Sequence, residues 1–129
     1  MILKFWKSIL WSFFIAFLLF LPGDKLPKNN LFNLVYFDKI VHFVLFIFLE
    51  LLILVEGQPS GAYIVSNKIK LTICALGYAL LTELMQVFFM RSRHGSLYDF
   101  IADAAGIISG LVIFWMYKKI TIRVSFRKR

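Results

Sequence analysis

Residues 83–106 read ELMQVFFMRSRHGSLYDFIADAAG. This stretch joins two apolar runs, about residues 69–90 and about 97–117. Each run is close to the roughly 20 residues that a membrane-crossing helix needs. Yet it holds Glu83, Gln86, Arg91, Arg93, Asp99 and Asp103. Charge near lipid depth is expensive, so it must be compensated or used. Two helices joined by a short basic loop, with carboxylates turned toward a shared interior, would satisfy that requirement.

Of the 129 residues, 60% are hydrophobic and only 17% are charged. A soluble domain is nearer half apolar and a quarter charged. The excess lies in long runs, which points to an integral membrane protein with room for four spans and none for a separate soluble domain. The expected architecture is therefore all-α, a membrane four-helix bundle with short loops, as one transmembrane domain over residues 1–129. The net charge of +8 fits basic loops and tails against anionic lipid. No basic-aromatic stripe lies outside the apolar runs, so nucleic acid is not an expected partner. The single Cys74 lies inside an apolar run and has no second cysteine with which to pair.

The first span is expected over about residues 3–21, stopped by Pro22 and Gly23. Lys4 and Lys7 before an apolar core also resemble a signal peptide. The run ends in Leu-Phe-Leu-Pro with no small-x-small cleavage site, which favours an uncleaved span. A polar loop follows, then a second span over about 38–56 and a turn-rich loop containing Pro59-Ser60-Gly61. The third and fourth spans are 69–90 and 97–117, and a basic tail closes the chain.

Lysine and arginine set the orientation. One side holds Lys4, Lys7, Lys68, Lys70, Lys118, Lys119, Arg123, Arg127, Lys128 and Arg129. The other holds Lys25, Lys28, Lys39, Arg91 and Arg93. Ten against five of the 15 basic residues puts both termini in the cytoplasm of a multi-pass membrane protein.

With that topology the intramembrane polar groups converge in the outer half. Asp38 opens the second helix, and His42 lies one turn deeper on the same face. Glu83 is roughly 10 Å below the outer end of the third helix, with Gln86 one turn above it. On the fourth helix Asp99, Asp103, Gly106 and Gly110 fall within an arc of roughly 60° at 100° per residue. Arg91 and Arg93 stand at the rim.

Structural roles compete with functional ones. Ser96 and Asp99 fit the S-x-x-D capping box of a helix start. Asp38 fits an N-cap or a partner of the helix dipole. A lone His42 fits a hydrogen-bonded packing residue, and Arg91 an interfacial anchor. Asp103 and Glu83 resist such readings, because each lies one to two turns inside the helix and needs a partner or a proton. Glu50 is about 18 Å inward from Asp38 by helix rise and stands apart from the outer group. Gly106-Ile-Ile-Ser-Gly110 is a G-x-x-x-G motif and points to close helix packing inside the bundle, with dimerisation as the other reading.

These residues together resemble the VanZ-like family of small bacterial membrane proteins. That family pattern is D-K-x-x-H opening one span, E-x-x-Q near the end of the next, an Arg, a Ser or similar residue, then D-x-x-x-N-x-x-G-x-x-x-G. Here it reads Asp38-Lys39-Ile40-Val41-His42, Glu83-Leu84-Met85-Gln86, Arg93, Ser96, Asp99, Gly106 and Gly110. The likeness covers roughly residues 36–115. One departure stands out: Asp103 occupies the position of the family's Asn. The resemblance implies a cell-envelope role and a link to low-level resistance to teicoplanin, a glycopeptide antibiotic. It supplies no reaction.

Three function classes follow. The first is binding or envelope modulation, with Asp38, His42, Glu83, Gln86, Arg93, Ser96, Asp99 and Asp103 holding a lipid headgroup, a lipid-linked cell-wall intermediate or a cation. Arg93 suits phosphate, and the carboxylates suit amines or metal. The second is an intramembrane enzyme on such a lipid, with His42, Glu83 and Asp103 as catalytic candidates and His42 as general base. In that setting mixed O/N ligation by Asp38, His42, Glu83, Asp99 and Asp103 would admit several divalent ions. The third is proton or solute transport through buried carboxylates. Nucleophile elbow, Gly-rich phosphate loop and H-E-x-x-H motif are all missing from the sequence, and no cofactor is expected. Membrane lipids are the expected partners, and oligomers are compatible with the pattern.

Overall fold

The computed structural model describes residues 2–21, 35–58, 65–89 and 96–127. A 3-10 turn at Ile2–Phe5 leads into α1 (Trp6–Leu19), followed by α2 (Val35–Glu56), α3 (Val65–Phe89) and α4 (Leu97–Arg127). The fold is a four-helix all-α bundle with no strand among the described residues.

Side-chain pairings define the topology. Lys39 meets Asp99 and His42 meets Asp103, separations of 60 and 61 residues. A nearly constant offset means that α2 and α4 run parallel. Tyr78 meets Ser12 and Gln86 meets Leu19 at offsets of 66 and 67, so α1 and α3 are parallel too. Thr72 reaches Glu50 while Glu83 lies beside His42, so α3 ascends as α2 descends. The bundle is up-down-up-down.

Why these faces turn inward is visible in the spacing. On α2 the buried positions are His42, Leu45, Phe46, Leu49, Glu50 and Leu54, a 3.6-residue stripe. Ile15 and Leu19 of α1 and Ala75 and Ala79 of α3 close on it, with Ile107 of α4. Gly106 and Gly110 let α4 approach α2. A Cβ on Gly106 would collide with the Phe43 carbonyl oxygen, and one on Gly110 would lie 2.9 Å from Glu50 Cβ and 3.0 Å from the Ile47 carbonyl oxygen.

Polar side chains inside the bundle hydrogen-bond to helix carbonyls, which avoids leaving a buried donor unpaired. Trp11 Nε1 donates to the Leu45 carbonyl at 3.0 Å, and the Tyr78 hydroxyl to that of Ser12 at 2.6 Å. The carboxylate of Glu56, at the end of α2, accepts the backbone N–H groups of Lys7 and Ser8 at 3.0 and 2.9 Å, and the Ser8 hydroxyl. It thereby caps the otherwise unsatisfied N-terminus of α1 from another helix.

The elements depart from the expected spans at their ends. α1 has 14 residues, about 21 Å of helix, and the preceding 3-10 turn adds about 8 Å. α2 begins at Val35, so Asp38 lies in the first turn and is not the N-cap. α4 does not stop near 117. It continues as helix to Arg127, where the sequence has neither Pro nor Gly to end it. Asn67–Phe89 and Leu97–Thr121 are long and apolar enough to cross a membrane, with mean hydropathy 1.6 and 1.8. α2 is comparably long but carries Asp38, Lys39, Glu50 and Glu56.

Candidate functional site

Three helices bring His42, Glu83 and Asp103 together. His42 Nδ1 is 2.9 Å from Asp103 Oδ1 and 3.6 Å from Glu83 Oε1. Exposure is 1% for His42, 6% for Glu83 and 0% for Asp103. One potential ligand atom from each lies within 4.8 Å of the others. The parallel register of α2 and α4 supplies two of these groups at matching heights, and the antiparallel α3 supplies the third.

Two buried oxygens of this cluster, Glu83 Oε1 and Asp103 Oδ2, accept no hydrogen bond from any described residue. An acceptor left in that state costs about 1–3 kcal/mol, more when charged. The other Glu83 oxygen, Oε2, accepts the Ser96 backbone N–H at 3.2 Å. That contact fixes the carboxylate with Oε1 facing the imidazole.

Asp99 lies at the edge of the cluster and pairs with Lys39 Nζ at 2.8 Å. Ser96 acts as N-cap of α4, its Oγ accepting the Tyr98 N–H at 3.2 Å. The reciprocal half of the expected capping box is altered. In place of Asp99, Glu83 of α3 accepts the Ser96 N–H, which leaves the Asp99 side chain for Lys39. Asp38 is partly exposed in the first turn of α2.

Gln86 does not turn to this cluster: its Nε2 donates to the Leu19 carbonyl at 3.0 Å, satisfying the end of α1. Arg91 and Arg93 lie outside the described residues. Gly106 and Gly110 face the α2 backbone, as noted above.

Glu50 occupies a separate polar spot eight residues further along α2, about 12 Å by helix rise. It is fully buried and accepts the Thr72 hydroxyl at 2.6 Å. Beside it a groove of about 430 Å³ between α3 and α4 is lined by Lys68, Thr72, Leu111 and Trp115 among others. Lys68 Nζ sits 4.9 Å from the centre of the Phe114 ring.

Sequence reasoning quoted Lys39 in the D-K-x-x-H pattern without a site role, and missed Glu56. The signal for Lys39 was its place one residue after Asp38, on the face that α4 covers. Glu56 offered only a carboxylate at a span end, and its partners are 48 and 49 residues away.

The arrangement can hold a cation on converging carboxylate and imidazole groups, or orient an imidazole against a carboxylate. No curated protein and no solved structure matches the chain. A family model described as VanZ/LLP1 matches residues 1–118, nearly the whole length. With that match, the chain belongs to the VanZ/LLP1 family.

Proposed function

We propose that this is a four-span membrane protein with both termini in the cytoplasm. Its outer polar cluster binds a ligand from the envelope side: the headgroup of a lipid or lipid-linked cell-wall intermediate, or a cation. The observation that carries this reading is the convergence of His42, Glu83 and Asp103 from three helices, with two acceptors, Glu83 Oε1 and Asp103 Oδ2, buried without donors. They call for a partner from outside the described residues. The membrane setting draws support from the inversion of the bundle. His42, Glu50, Glu83 and Asp103 are inside, whereas Phe13, Phe17, Phe88 and Phe89 are 64–77% exposed. Trp6, Trp115 and Tyr117 are exposed near the basic end, as expected of side chains at a headgroup interface. The family's link to teicoplanin resistance is consistent with an envelope ligand.

A test is native mass spectrometry of the full chain in detergent with added bacterial phospholipids or a lipid-linked cell-wall intermediate. Wild type should carry a one-to-one lipid adduct that Glu83→Gln and Asp99→Asn lose and Glu50→Gln keeps. The same adducts in all four proteins would remove the polar cluster from the reading.

The second reading is an intramembrane enzyme. It rests on the buried His42–Asp103 contact of 2.9 Å, in which a carboxylate orients an imidazole. Turnover of the bound lipid that His42→Gln abolishes without loss of lipid binding would favour it over a pure binding role.

A further inference from the structure

The groups that converge from α2, α3 and α4 have a definite chemistry. One imidazole nitrogen and two carboxylates make a mixed N/O donor set, which suits first-row divalent cations such as manganese or zinc. In an octahedral or tetrahedral shell of radius about 2.1 Å, adjacent donors are about 3.0–3.4 Å apart. The observed separations from His42 Nδ1, 2.9 Å to Asp103 Oδ1 and 3.6 Å to Glu83 Oε1, bracket that range. Two of the three separations are therefore close to those of a shared ion, and all three donor atoms lie within 4.8 Å of one another.

A single proton does not satisfy the cluster. Shared between His42 Nδ1 and Asp103 Oδ1, it still leaves Glu83 Oε1 and Asp103 Oδ2 without donors. A divalent ion balances two carboxylates at once. The surrounding contacts also behave as supports: Ser96 N–H holds the far oxygen of Glu83, and Lys39 holds Asp99 away from the centre.

We propose that His42 Nδ1, Glu83 Oε1 and a carboxylate oxygen of Asp103 bind one divalent first-row metal ion. Three protein donors leave at least one coordination position open, which water or an oxygen of an anionic headgroup fills. This deepens the reading above, because it rests on the same polar cluster and explains how acidic groups would receive a phosphate-bearing ligand.

The test uses the full chain in detergent, stripped of metal by chelation and delipidated, so that its result does not depend on lipid binding. Manganese is titrated and followed by electron paramagnetic resonance, with zinc as competitor. Wild type should bind one manganese per chain. Asp103→Asn and Glu83→Gln, both near-isosteric, should each weaken binding on the order of 10–100-fold. Glu50→Gln should bind as wild type. His42→Ala should also lose the ion; if it fails to fold, the two isosteric variants still decide. No stoichiometric manganese in wild type, or equal affinity in Asp103→Asn, overturns the metal site. A chain that binds no metal but still captures an amine-bearing lipid such as phosphatidylethanolamine would sink this proposal and leave the lipid-binding reading standing. Metal without any lipid adduct would do the reverse.

Discussion

His42 and Asp103, 61 residues apart in sequence, meet at 2.9 Å with both side chains sealed inside the bundle. The contact ties α2 to α4 inside the bundle. Lys39 and Asp99 make a similar link one turn nearer the helix starts, at 2.8 Å, but the Lys39 side chain is 30% exposed.

That difference in burial predicts a difference in cost. Removing one partner of a buried pair costs about 3–5 kcal/mol, whereas exposed pairs are worth about 0–1 kcal/mol. His42→Ala should therefore lower thermal stability in detergent far more than Lys39→Ala. The double variant His42→Ala/Asp103→Ala should lose less than the two singles together. Additive losses across that double-mutant cycle would mean the two groups are not coupled.

The glycines give a cleaner steric contrast. Gly106→Ala must push against the Phe43 carbonyl, so it should destabilise by about 1–3 kcal/mol. Gly77 has nothing within 4 Å of an added Cβ. Gly77→Ala should then be neutral or stabilise by up to about 1 kcal/mol, through helix propensity. Melting curves of the two variants side by side check this, and a Gly106→Ala protein as stable as wild type would contradict the close approach of α4 to α2.

Glu56 should matter to α1 and little to the polar cluster. Glu56→Ala strips the N–H groups of Lys7 and Ser8 of their acceptor, a loss comparable to a missing N-cap, about 0.5–2 kcal/mol. Hydrogen exchange should speed up in the first turn of α1 and stay unchanged around His42. Uniform exchange changes across all four helices would argue against a local capping role.

Orientation is open to a labelling test. In a Cys74→Ser background, single cysteines at Asn30 and Ser60 would be challenged with an impermeant thiol reagent on intact cells. Labelling of Asn30→Cys alone supports both termini inside, and labelling of Ser60→Cys alone reverses the bundle and puts the cluster on the cytoplasmic side.

Glu50 and Glu83 are both buried carboxylates on facing helices, yet they sit in different polar environments. Glu50→Gln should leave ligand retention intact while Glu83→Gln abolishes it, at matched expression. Equal loss in the two variants would mean that the Glu50 and Glu83 spots act as one.

Helix content and approximate helix positions were legible in the sequence because they follow from local facts: the length of the apolar runs and the face shared by Asp99, Asp103, Gly106 and Gly110. Periodicity alone put His42 with Asp38 and Gln86 with Glu83. It did not decide what those faces meet. Only the packing of three helices brought His42 Nδ1 between Asp103 and Glu83, turned Gln86 to the end of α1 and gave Ser96 N–H to Glu83 in place of Asp99. Spacing along one helix fixes which side chains share a face. Which partner receives each hydrogen bond depends on how neighbouring helices are set in height and rotation. That setting comes from contacts spread over the whole bundle, such as Gly106 on the α2 backbone and Glu56 on the start of α1.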